Sequence, residues 1–86
     1  MPVVSRFFGI AIAFYWEDHL PPHFHAKYRG DEAMISIRTG EAIRGSLPKR
    51  ALSLVEEWRT LHVDELLDNW QRARQRLQLS YIEPLE

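Results

Sequence analysis

Residues 8–16, Phe8-Gly9-Ile10-Ala11-Ile12-Ala13-Phe14-Tyr15-Trp16, are apolar at both sets of alternating positions, which predicts one strand, covered on two sides or lying centrally in the sheet. Pro21-Pro22 then forbids helix and keeps Leu20 extended, so residues 17–22 read as a stiff connection. From His23 the pattern changes to strict alternation: Phe24, Ala26 and Tyr28 fall on one face, and His23, His25, Lys27 and Arg29 on the other. Gly30-Asp31 follows as a turn, after which Ala33, Ile35 and Ile37 alternate with Glu32, Met34, Ser36 and Arg38.

A turn at Gly30-Asp31 fixes the register by counting outward. Tyr28 then faces Ala33, Ala26 faces Ile35 and Phe24 faces Ile37 in an apolar row, while Arg29 pairs with Glu32, Lys27 with Met34, His25 with Ser36 and His23 with Arg38. This hairpin gathers His23, His25, Ser36 and Arg38 on one polar face. Thr39-Gly40-Glu41 forms a second turn into a short strand, Ala42-Ile43-Arg44, in which a three-residue loop sets Ile43 beside Ile37 and adds Arg44 to the basic face.

Gly45-Ser46-Leu47-Pro48 starts a helix, with Ser46 or Leu47 near the cap and proline in the first turn. Leu47, Ala51, Leu54, Trp58 and Leu61 make its apolar stripe, and the stripe restarts one residue out of phase at Leu66, Trp70, Ala73 and Leu77. Two helices with a bend near residues 62–64 follow from that slip, the second capped by Glu65 reaching back to the His62 backbone. Arg72, Arg74 and Arg76 suit the C-terminal end of the helix dipole. The tail from Ser80 is apolar enough to dock along the helices or on a sheet edge. The fold expected is α+β, an antiparallel sheet of about four strands followed by two C-terminal helices on its apolar face, in one domain over residues 1–86.

Composition narrows the function more than it identifies it. A formal net charge of −1 leaves electrostatic recognition to local patches, and the absence of cysteine removes disulfides and thiolate metal sites. The apolar run of residues 7–16 is too short to span a bilayer and is followed by Glu17-Asp18-His19 instead of a small-residue cleavage site, so a cytoplasmic protein with no membrane association is expected.

Candidate chemistry concentrates in Asp18-His19-Leu20-Pro21-Pro22-His23-Phe24-His25-Ala26, which holds three of the four histidines. His23 and His25, two apart on a strand, leave the same face roughly 7 Å apart, within reach of one divalent ion, with Glu17, Asp18 or His19 as a third ligand if the connection folds back. The pair could instead divide base and acid roles on a phosphate ester such as RNA, with Arg38 and Lys27 stabilising phosphoryl charge, Ser36 orienting an imidazole, and Arg29 and Arg44 extending the basic face. That reading needs no cofactor. Ordinary packing stands beside both: His19 and His23 hydrogen-bonding the backbone around Pro21-Pro22, Trp58 and Trp70 as core, and Lys27 and Arg29 as the wet face of a sheet.

The chain resembles a bacterial family, domain of unknown function 4160. The resemblance is carried by Ser5-Arg6-Phe7-Phe8-Gly9-Ile10, Asp18-His19 with Pro21-Pro22-His23-Phe24-His25-Ala26, Leu47-Pro48 with Arg50-Ala51-Leu52, Glu57-Trp58, Leu61-His62 and Asn69-Trp70. It implies a gene lying beside a second small gene, an arrangement like toxin–antitoxin pairs, and hence a partner-binding module docking the neighbouring product through the polar face or uncovered Trp and Leu side chains. This is the leading expectation, and it leaves room for a homo-oligomer.

Overall fold

The computed structural model describes residues 2–86. The chain runs β1 (Val3–Phe7), β2 (Ile10–Ala13), β3 (His23–Tyr28), β4 (Asp31–Ser36), β5 (Ala42–Gly45), α1 (Lys49–Leu61) and α2 (Val63–Arg74). The strands form one antiparallel sheet in sequence order, with five strands instead of about four. The extra strand comes from the first apolar run, which is broken by a hairpin turn at Phe8-Gly9. There Phe8 has φ 49° and Gly9 φ 79°, the positive pair that a type I′ turn requires.

The second hairpin repeats this geometry one residue earlier than the sequence suggested. Its central residues are Arg29 (φ 50°) and Gly30 (φ 87°), not Gly30-Asp31, because a type I′ turn places glycine second. Phe24 therefore faces Ile35 instead of Ile37, and His23 faces Ser36 instead of Arg38. The slip moves each partner by an even number of positions, so every side chain keeps its expected face. At β5 a bulge lies between Met34 and Ile35, pairing Arg44 with Met34 and Ala42 with Ile35. Ile43 is thus exposed and does not meet Ile37.

Phe7, Ile10, Ile12, Phe24, Ala26, Ala33 and Ile35 bury one face of the sheet against Ala51, Val55, Trp58 and Leu66 of the helices. The Trp58 ring centres this layer, 5.2 Å from Phe7 and 5.9 Å from Phe24 by ring centroids. In α1 the stripe passes through Val55 and Arg59, leaving Leu54 partly buried and Leu61 exposed. Pro48 itself occupies the helix N-cap position. His62 separates the two helices, and the expected backbone cap is replaced by a side-chain pair in which His62 Nδ1 lies 2.5 Å from Glu65 Oε1. Leu77 falls beyond the end of α2 and is exposed.

The tail packs on both the helices and the sheet edge. Asn69 Nδ2 donates to the Ser80 carbonyl and the Ser80 N–H donates back to Asn69 Oδ1, each at 2.8 Å. Trp58 Nε1 donates to the Glu83 carbonyl, Ile82 is fully buried, and its N–H donates to the Val4 carbonyl on β1. Among the described residues no helix is long and apolar enough to cross a membrane.

Candidate functional site

The period of two along β3 sends His23 and His25 to the same face, and cross-strand pairing adds Ser36 opposite His23 and Met34 opposite His25. That face is not open. Residues 14–22 fold back over it, held by hydrogen bonds from the Glu17 N–H to the Ala73 carbonyl and from the Ile37 N–H to the Pro22 carbonyl. His23 is 1% and His25 5% exposed. Tyr15 stacks on His25 with ring centroids 4.0 Å apart and planes 9° from parallel, and Trp70 of α2 approaches His23 at 5.2 Å. The imidazoles therefore do not project from a side of the sheet free of helix.

Asp18 is the hub. Its Oδ2 lies 2.9 Å from His23 Nε2 and 3.0 Å from His25 Nε2. On the far side of each ring, His23 Nδ1 is 2.7 Å from the Pro21 carbonyl and His25 Nδ1 is 2.8 Å from Glu32 Oε2. Every ring nitrogen of the pair thus faces an oxygen acceptor. A neutral imidazole carries a single N–H, so each ring in that form donates to only one of the two oxygens it faces. Burial raises the Asp18 carboxyl, but hydrogen bonds from His25 and from the His19 amide, with the charge and hydrogen bond of His23, outweigh it and hold the group below its ordinary value. Asp18, His23 and His25 could together hold a metal ion, offering one ligand atom each with all three atoms within 4.8 Å of one another.

The matching family model covers residues 9–71 and carries the description Domain of unknown function (DUF4160). The chain belongs to the DUF4160 family. The matched range spans every residue of this cluster, from Tyr15 and Asp18 through His23, His25 and Glu32 to Trp70. No curated protein and no solved structure matches the chain.

The remaining sequence-derived positions of this DUF4160 domain are scattered around the cluster. His19 is largely exposed, with Nε2 3.7 Å from Asp18 Oδ1. Lys27 is partly buried beside Glu32 at 4.0 Å. Arg44 is exposed on β5 opposite Met34, and Arg29 lies over the Tyr28 ring at the hairpin tip. Arg38 is exposed on the turn after β4, and Ser36 Oγ accepts the Thr39 N–H at 3.2 Å. The structure thus assembles Asp18, His23 and His25 and leaves Arg38 outside. It also adds Glu32 and Tyr15, which the sequence reading assigned to other roles. An Arg29-Gly30 turn would have pointed to Glu32, because it puts Glu32 diagonally across from His25.

Proposed function

We propose that this domain is a partner-binding module, the cytoplasmic protein component of a two-gene pair of the toxin–antitoxin kind, and that it docks its partner through the connector of residues 14–22. The observation that carries this reading is the contrast within that connector. Its inner side is tied down by Asp18 and by the Glu17 N–H, while Tyr15, Trp16 and Leu20 are exposed at 37%, 40% and 63%. A loop fixed in one conformation loses little entropy on binding, and exposed tryptophan is among the side chains that dominate interface energies. Acid–base chemistry on a phosphate ester has less support, because it needs imidazoles open to substrate and an arginine beside them. His23 is closed over, and Arg38 sits on a separate exposed turn.

The test is co-expression with the product of the adjacent gene. Wild-type protein is expected to co-purify as a complex, and Trp16→Ala with Leu20→Ala to weaken the complex by at least about 2 kcal/mol while leaving the circular dichroism spectrum unchanged. A domain that elutes alone or as a homo-oligomer, or a complex indifferent to the double substitution, sinks the proposal.

A further inference from the structure

We propose that Asp18, His23 and His25 bind one divalent first-row transition metal, through Nε2 of each imidazole and one carboxylate oxygen. The three ligand atoms already converge, lying within 4.8 Å of one another around Asp18 Oδ2. Around a tetrahedral zinc ion with bonds of about 2.1 Å, ligand atoms stand about 3.4 Å apart. The present separations of 2.9 and 3.0 Å between Asp18 Oδ2 and the two Nε2 atoms lie a few tenths of an ångström below that value, and the two Nε2 atoms are within 4.8 Å of each other.

The outer contacts match the same purpose. Histidines that ligate metals commonly donate their other N–H to a backbone carbonyl or a carboxylate, which fixes the tautomer with the Nε2 lone pair facing the ion. His23 Nδ1 meets the Pro21 carbonyl and His25 Nδ1 meets Glu32 Oε2, one acceptor of each kind. Tyr15 and Trp70 hold the two rings from the side, so the imidazoles are oriented before any ion arrives. Two carboxylates, Asp18 and Glu32, face the ring pair and offset the ion's charge, and Lys27 lies beyond Glu32. Two nitrogens and one oxygen suit zinc, cobalt, nickel, iron or manganese and disfavour magnesium, which prefers oxygen ligands. His19 Nε2 lies 3.7 Å from the other Asp18 oxygen and is largely exposed, outside this set of three, so water is left to complete the coordination.

Zinc alone, titrated into the purified chain, tests this without a partner, so its outcome is independent of the docking proposal. Calorimetry is expected to show one zinc per chain and no heat with magnesium. Histidine-ring nitrogen NMR should show the Nε2 signals of His23 and His25 moving while their Nδ1 protons persist. Glu32→Ala, at a 40% exposed side chain, removes the acceptor of His25 Nδ1 while leaving all three ligand atoms in place, and should weaken zinc about 10–100-fold. Absence of binding, shifts confined to His19 and His62, or an affinity unchanged in Glu32→Ala would overturn the site.

Discussion

One carboxylate oxygen of Asp18 lies 3.0 Å from Nε2 of His25, a contact that joins the connector to the middle of β3. Because the same oxygen also takes His23 Nε2 at 2.9 Å, a single side chain ties the connector to both buried imidazoles of β3. Asp18→Asn keeps the shape but removes the charge that two buried rings face. We expect it to cost about 1.5–3 kcal/mol of stability, the range for hydrogen bonds to charged groups, measured by urea denaturation at pH 7.

The same carboxylate sets an acid limb. Its folded value lies below the ordinary 3.8, so its stabilising contribution is complete above about pH 4 and is lost as pH falls through the folded value. The stability gap between wild type and Asp18→Asn should therefore be full at pH 6 and narrow progressively below pH 4. A gap that stayed constant from pH 6 to 2.5 would mean that Asp18 does not change protonation with folding.

The apolar face was legible in the alternation of Phe24, Ala26, Ala33 and Ile35, and it survived a wrong turn assignment because the register error was even. The hairpin at Phe8-Gly9 was hidden because apolar residues flank it on both sides, so no polar punctuation marks the turn. The convergence of Asp18 on His23 and His25 was foreseen only as a conditional, since nothing in Leu20-Pro21-Pro22 states the direction in which the connector returns. Arg59 left no mark in the periodicity, because a charged residue at 7% exposure is recognised only through its distant partner, the Ile37 carbonyl.

That partner supports a third prediction. Arg59 donates to the Ile37 carbonyl at 2.8 Å and grips both oxygens of Glu56 at 2.9 and 2.7 Å, hydrogen bonds that hold the Glu56 carboxyl below its usual range. Gly40 packs against this pair so closely that an added Cβ would stand 2.3 Å from Glu56 Oε1 and 2.7 Å from Arg59 Nε. Arg59→Met should cost at least about 2 kcal/mol, since it leaves the buried Ile37 carbonyl without its donor. Gly40→Ala should cost more than its backbone strain of about 1–2 kcal/mol, because the ion pair must also move. The two substitutions share one cause, so a double-mutant cycle should show them less than additive.

Gly30 isolates the backbone contribution from such collisions. At φ 87° it occupies the second position of the β3–β4 hairpin, and a Cβ there would meet nothing within 4 Å. Gly30→Ala should then cost only the strain of a left-handed residue, about 1–2 kcal/mol. Asparagine tolerates that region better than alanine, and β-branched side chains tolerate it worst. The expected order of stability is thus glycine, asparagine, alanine, valine in thermal melts of the four variants. If alanine matched glycine, Gly30 would not hold a positive φ in solution, and the Arg29-Gly30 turn that sets the β3–β4 register would be wrong. Ser36 would then leave its place opposite His23, and Glu32 would no longer sit diagonally across from His25.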